Sequence, residues 1–256
     1  MDKAKLKRSG QLLAPSVFTM GNMACGFYAL NAADVGDFPA AATAILAGIA
    51  FDMLDGRVAR LVHGESAFGV EFDSLSDFLT FGVAPANMMC QLLLKDYGFK
   101  GYLTAFAYAL CGGLRLARFN AAANAGKGSK THFTGLPIPA AAGFLASFVL
   151  LYSFVETADP ANSLGVLAAI PRLAGIGPFL VGALAFLMVS TIPYGAFKQT
   201  DLLARENRPL LAVVAAALGA LYLWPSRAIF VIFLLYAVSG LAGLGLRRPS
   251  EPQPHH

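Results

Sequence analysis

Eight apolar stretches, each about as long as a bilayer is thick, follow one another along this chain and leave few folds open to it. Spanning ~30 Å of hydrocarbon takes about 20 residues of helix. The runs at about 15–35, 38–62, 73–95, 101–122, 135–156, 174–194, 208–225 and 227–246 have that length. Turn-forming residues separate them: Asp34-Val35-Gly36-Asp37, Lys95-Asp96-Tyr97-Gly98, Gly126-Lys127-Gly128-Ser129-Lys130 and Pro225-Ser226. The stretch 157–173 is interrupted by Pro160 and Pro171 and reads as an interfacial loop. Of the 256 residues 57% are hydrophobic and only 13% charged, too few to give a soluble fold its polar skin. A transmembrane β-barrel would show short alternating segments, and none occurs. The sequence predicts an all-α, polytopic membrane bundle of about eight transmembrane helices.

Charge sets the orientation. With eight spans, only Lys95, Lys100, Arg172 and Arg227 of the 19 Lys and Arg residues fall on the side away from the N-terminus. This asymmetry predicts cytoplasmic termini in a cell inner membrane. It also accounts for the net charge of +4, which is therefore no sign of nucleic-acid binding. Residues 1–14, with Lys3, Lys5, Lys7 and Arg8 beside Leu6, Leu12 and Leu13, read either as a basic amphipathic segment on lipid headgroups or as a frayed basic tail. No compact apolar region with a small-residue cleavage site follows, so this end reads as retained. A transmembrane catalytic domain over 15–247 and a disordered tail over 248–256 complete the expected organisation. Cys25, Cys90 and Cys111 lie in apolar runs and read as packing residues, not as a disulfide framework.

Carboxylates are rare in membrane spans and are functional candidates where they occur. Four gather where the second and third spans meet the cytoplasm. Asp52 and Asp55 are spaced i,i+3 and Asp73 and Asp77 i,i+4, so each pair shares a helix face. Gly56, Gly64 and Gly69 allow the intervening segment to turn back and bring the faces together. Four converging carboxylates repel one another, and something cationic must hold them. Arg57 and Arg60 are near, but two arginines cannot satisfy four acids and stay free for other work. A hard divalent ion such as Mg²⁺ or Mn²⁺ is the better counter-charge.

Written out, the segment is Asp52-x2-Asp55-Gly56-x2-Ala59-Arg60-x8-Gly69-x3-Asp73-x3-Asp77. It resembles the signature of the CDP-alcohol phosphatidyltransferase family, with eight fixed residues in place across 26 positions. The resemblance implies a helical bundle, paired into a homodimer, whose first spans shelter a cytoplasm-facing two-metal site. It implies an enzyme that displaces CMP from a CDP-linked lipid by attack of an alcohol. By match, Asp52, Asp55 and Asp73 bind metal, and Asp77 completes the second metal site and serves as general base. Gly56 and Ala59 let the cytidine approach the helix, although small residues there also suit close helix packing. Arg60 holds the diphosphate, and Gly69 gives close packing in the turn. A two-metal clamp with a carboxylate base suits phosphoryl displacement on chemical grounds as well.

Other stretches narrow the resemblance: Pro15-Ser16-x2-Thr19-x2-Asn22, Cys111-Gly112-Gly113-x-Arg115-x2-Arg118-x-Asn120, Phe133-x-Gly135-x-Pro137-x-Pro139, and Ser190-x2-Pro193-x3-Phe197-Lys198. Together they look like the membrane-embedded phosphatidylserine synthases of that family, over about residues 10–200. This implies CDP-diacylglycerol as donor, with Thr19 and Asn22 among the residues that bind it, and L-serine as acceptor. Ser16 departs from an expected Asn, which puts a nucleotide contact there in doubt. Arg115, Arg118 and Asn120 are the candidates for gripping the serine carboxylate, since Arg binds carboxylates bidentately. Arginines at this end also serve as positive-inside anchors. Lys127, Lys130 and His132 form a loop able to close over the site, while His132 and His63 each read as solvated residues. Other acceptors (glycerol 3-phosphate, inositol phosphate or choline) fit the same signature. An ion-coupled transporter would show inverted repeats and midplane charges, and the acidic cluster is neither repeated nor central.

Overall fold

The computed structural model describes residues 3–62, 67–124, 132–157, 175–195 and 223–245. Helix α1 (Lys3–Asp34) and helix α2 (Phe38–Val62) form an antiparallel hairpin. Its turn follows from three residues. Gly36 takes φ +83°, and Gly36 N–H and Asp37 N–H donate back to the carbonyls of Ala33 and Ala32 at 3.1 and 2.8 Å. That is the glycine-terminated end of a helix whose last carbonyls are satisfied. Asp37 then accepts the Ala40 N–H at 3.1 Å and caps α2. Alanines line the seam: Ala29, Ala32 and Ala33 of α1 and Ala41, Ala42 and Ala44 of α2 are buried, and their small side chains let the backbones approach closely.

The third rod is not a uniform α-helix. It runs as α3 (Ala67–Asp77), a π-helical stretch π1 (Phe78–Val83), α4 (Ala84–Met89), a second π-stretch π2 (Cys90–Leu94) and a 3₁₀ turn over Lys95–Tyr97. Pro85 has no N–H to give to the Phe81 carbonyl four residues back, and the buried Tyr108 hydroxyl donates there instead at 3.3 Å. Helix α5 (Phe99–Asn124) returns antiparallel beside it, followed by α6 (Ile138–Thr157), α7 (Gly177–Val189) and α8 (Pro225–Gly245). A short antiparallel ladder pairs β1 (His132–Thr134) with β2 (Pro193–Gly195), with Phe133 opposite Tyr194. The bundle core holds Phe81, Ile45, Met88, Leu145, Val149 and Met188, all inaccessible to solvent. The three cysteines are free thiols, each half-buried.

Helices stand at seven of the eight expected span positions; 208–225 falls mostly outside the described residues, as do the expected loop at 157–173 and the tail 248–256. Among the described residues two helical rods, Phe38–Val58 and Phe68–Tyr97, are long and apolar enough to cross a bilayer, and three shorter apolar helices accompany them. Residues 3–14 are helical and continue without a break into the first expected span. The span expected at 174–194 is shorter: α7 ends at Val189, and Ser190 turns to ψ 160°. Pro193 disfavours helix at the preceding residue, so the chain leaves for β2. Of the glycines expected to let the segment between the second and third spans turn back, Gly56 and Gly69 are both helical, and Gly64, with His63, lies outside the described residues.

Candidate active site

Three helices meet at one end of the bundle, and each brings polar residues on one stripe. On α1 these are Thr19 and Asn22, at i and i+3, with Gly26 on the same stripe at i+7. On the third rod they are Asp73, Asp77 and Thr80, again within two turns, and α2 supplies Asp52 and Asp55. Glycines bring the stripes together. A Cβ at Gly26 would stand 2.8 Å from Thr80 Cα, and one at Gly48 would stand 2.6 Å from Thr80 Cγ2.

Four cross-helix hydrogen bonds lock this junction. Thr19 Oγ1 donates to Asp55 Oδ2 at 2.6 Å, and Asn22 Nδ2 donates to Asp77 Oδ1 at 2.9 Å. In the opposite direction Ser76 Oγ donates to the Thr19 carbonyl at 3.0 Å and Thr80 Oγ1 to the Asn22 carbonyl at 2.9 Å. Thr19 and Asn22 thus hold carboxylates with their side chains while their backbones are held in return. The sequence marked both as donor-lipid residues; their contacts in the structure are with the two acids. Ser76 and Thr80 were missed, although Thr80 extends the Asp73/Asp77 stripe and was legible as part of it. The π-turn that begins just after Asp77 was also missed. Such turns are frequent at functional sites because they re-aim the side chains beside them.

Carboxylate oxygens of Asp52, Asp73 and Asp77 lie within 4.8 Å of one another. Asp77 is buried and Asp52 and Asp73 half-buried. Asp55 stands outside this trio, buried against Thr19. Two observations test whether the set fits a cation. The donors are all hard carboxylate oxygens, which suit Mg²⁺ or Mn²⁺. Asp55 Oδ1 and Asp73 Oδ1 are buried with no hydrogen-bond partner among the described residues, a costly state for a carboxylate unless a cation shares it. The residues fit a divalent metal centre.

Gly56 is exposed, and a Cβ there would meet no atom within 4 Å. Its smallness leaves open space beside Asp55 and is not used for packing against a neighbouring helix, unlike Gly26 and Gly48. Gly69 lies half-buried in the first turn of α3. Ala59 and Arg60 belong to the last turns of α2, and their side chains lie outside the described residues, as do Lys127, Lys130 and the side chains of Ser16 and His132.

The three acceptor candidates part company. Arg115 is only 8% exposed, its Nε has no hydrogen-bond partner among the described residues, and it interacts electrostatically with Asp77. Arg118 sits one turn later and reaches α7. Its Nη1 donates to the Val189 carbonyl at 2.9 Å, and its Nη2 to the Met188 and Ser190 carbonyls at 3.3 and 3.4 Å. These are the terminal carbonyls of α7, so Arg118 caps that helix. Asn120 Nδ2 donates to Ser74 Oγ at 2.8 Å, one position round α3 from Asp73, and lines a cavity of about 240 Å³ with Glu71 and Phe78.

Comparison with known proteins agrees with this geometry. The family described as CDP-alcohol phosphatidyltransferase matches residues 12–181. A CDP-diacylglycerol–serine O-phosphatidyltransferase of Helicobacter pylori (strain J99) is 34% identical over 232 residues, covering 90% of this chain and 90% of that protein. One of the same name from Bacillus subtilis is 32% identical over 185 residues, covering 72% of this chain and 91% of the relative. An archaetidylserine synthase of Methanothermobacter thermautotrophicus is 36% identical over 185 residues, 70% of this chain and 68% of that protein. With the signature, its helical setting and the matched length in agreement, this chain belongs to the CDP-alcohol phosphatidyltransferase family.

Proposed function

We propose that this enzyme transfers the phosphatidyl group of CDP-diacylglycerol to the hydroxyl of L-serine, forming phosphatidylserine and releasing CMP. The observation that carries the chemistry is the convergence of Asp52, Asp73 and Asp77 beside the buried Asp55. The acceptor rests on the relatives, since the bacterial and archaeal proteins aligned over most of the chain all carry serine in their names.

Asp52, Asp55, Asp73 and Asp77 would hold the divalent ions, Mg²⁺ or Mn²⁺. When bound, such ions neutralise charge on the diphosphate oxygens. The chain's own residues do the rest. Thr19 and Asn22 fix Asp55 and Asp77 through the bonds described above, so that neither acid reorganises during reaction. Gly56 and Ala59 leave room for the nucleotide, and Arg60 neutralises diphosphate charge. Asp77 accepts the proton of the serine hydroxyl as its oxygen attacks the lipid-side phosphorus. The bond from that phosphorus to the CMP oxygen breaks, and CMP departs with its electron pair.

The wider setting follows the charge pattern. The protein is a multi-pass enzyme of the cytoplasmic inner membrane with about eight spans, a catalytic domain over 15–247, both termini and the site facing the cytoplasm, and a homodimeric assembly. The acidic cluster, Arg115 and Arg118 share one end of the bundle, while Lys95 and Lys100 stand at the other turn of the third and fifth helices, in support of this orientation.

The deciding experiment supplies purified protein in detergent with CDP-diacylglycerol, labelled serine and Mn²⁺ or Mg²⁺. Label entering lipid in step with CMP release, abolished by EDTA, is the expected result. CMP release with glycerol 3-phosphate but not with serine would discard the acceptor and keep the site. In Asp77→Asn the contact from Asn22 persists while the base is lost. That variant is expected to bind CDP-diacylglycerol and fail to turn over; wild-type turnover removes Asp77 from this role.

A further inference from the structure

The four acids of the site are not equivalent. Oxygens of Asp52, Asp73 and Asp77 lie within 4.8 Å of one another, and among the described residues one hydrogen bond reaches this trio, from Asn22 to Asp77. Carboxylates this close repel one another, and a single amide donor does not offset three charges. Asp55 stands apart. It is only 7% exposed, the Thr19 hydroxyl holds its Oδ2 at 2.6 Å, and its Oδ1 is buried and unpartnered among the described residues. The trio is a set of ligands already gathered, whereas Asp55 offers one unpartnered oxygen in a fixed place.

The space around the trio is uneven too. Gly48, Asp52 and Gly56 mark successive turns of α2. At Gly48 the junction is closed: a Cβ there would stand 2.6 Å from Thr80 Cγ2 and 3.0 Å from Asn22 Oδ1. At Gly56 it is open: the residue is exposed, and among the described residues a Cβ would meet nothing within 4 Å. The room beside the trio is therefore on the Gly56 side, where Asp55 also stands.

A small hard cation seeks a near-octahedral set of oxygens, and commonly takes one or two from carboxylates and others from substrate phosphates. Asp52, Asp73 and Asp77 supply three protein oxygens at once and relieve their own repulsion by closing on a cation. Asp55 supplies one and gains less, because a hydroxyl already bonds it. A cation beside Asp55 needs further oxygens, and an incoming diphosphate has them to give.

We propose that the two cation sites are unequal: Asp52, Asp73 and Asp77 hold an ion in the free enzyme, and Asp55, positioned by Thr19, takes a second ion only together with the diphosphate of the donor. This rests on the divalent-metal reading of the site and not on the identity of the acceptor. Coupling of this kind is reciprocal: the donor tightens the second ion by the same factor by which that ion tightens the donor. Thr19 is a positioning residue that acts through Asp55.

The test counts bound Mn²⁺ from the paramagnetic resonance signal of the free ion, on the full chain in detergent with no acceptor present. Wild type is expected to bind one ion per chain without nucleotide. With CDP-diacylglycerol it binds two, after subtraction of the Mn²⁺ taken up by the lipid alone. In Asp55→Asn the first ion keeps its wild-type affinity and the second is lost. In Thr19→Val, which keeps the shape, the second ion weakens roughly tenfold while the first is unchanged. Two equally tight ions in the free enzyme, or no second ion with the donor, overturn the proposal. So does an Asp55→Asn variant whose first ion weakens along with the second. If the variants do not fold, the wild-type counts decide alone. No Mn²⁺ bound in either state overturns the metal reading, and the proposal with it.

Discussion

Asn22 Nδ2 donates to Asp77 Oδ1 at 2.9 Å, joining the first helix to an acid 55 residues later. The contact sets the rotamer of the carboxylate proposed as base, and the Thr80 hydroxyl on the Asn22 carbonyl keeps α1 in register with it. Substituting Asn22→Leu keeps the volume and removes the donor. Groups that orient a ligating or catalytic residue in this way typically contribute 10–100-fold to affinity or activity. The expected outcome is a kcat lower by roughly that factor, read from CMP release at saturating substrates; wild-type kcat excludes an orienting role.

The Thr19–Asp55 bond has a different readout. Asp55 lies outside the trio that converges most closely, and its unpartnered Oδ1 is the atom left to face a cation. In Thr19→Val the shape stays and the donor goes. The concentration of Mn²⁺ giving half-maximal rate is expected to rise about tenfold, as for other residues that hold a metal's ligand. An unchanged metal titration would place Asp55 outside the metal centre.

Two classes of glycine separate in one melting experiment. Gly26→Ala and Gly48→Ala place a methyl against Thr80 backbone and side chain, and overpacking of this kind costs about 1–3 kcal/mol. Both are expected to lower the melting temperature in detergent. Gly56→Ala meets nothing within 4 Å, so its melting temperature should match wild type while CMP release slows. If Gly56→Ala melts early instead, its smallness serves packing and not substrate.

In this structure Arg118 caps the end of α7. Arg118→Gln leaves the carbonyls at 188–190 without their charged donor, a loss of about 1.5–3 kcal/mol for hydrogen bonds to a charged group. Earlier melting with an unchanged KM for serine is expected. A serine KM that rises without any change in melting would return Arg118 to the acceptor site.

The extent of what could be read without coordinates differs sharply between residues. The carboxylates were legible because helical spacing is local: i,i+3 and i,i+4 pairs must share a face, and acids in apolar spans need a counter-charge. The hairpin at Gly36 was legible for the same reason, since a positive φ at a helix end calls for glycine. Arg115, Arg118 and Asn120 looked equivalent in sequence, a cluster of donors at one helix end. At about 100° per residue, Asn120 points well away from the other two, while Arg115 and Arg118, spaced i,i+3, lie on neighbouring lines of one face; even so, Arg118 reaches the end of α7 and Arg115 does not. No local rule says what stands across from each.

By itself, then, the sequence determined that this is an apolar helical bundle with an acidic site at one end, because span length, charge asymmetry and motif spacing are properties of single segments. Only the tertiary structure decided the partnerships: Thr19 with Asp55, Asn22 with Asp77, and Arg118 with the α7 terminus. These pairs join residues from 36 to 71 positions apart, and each depends on how closely two helices approach. That distance is set by glycines and alanines packed along the seams, whose effect appears only when both faces are present.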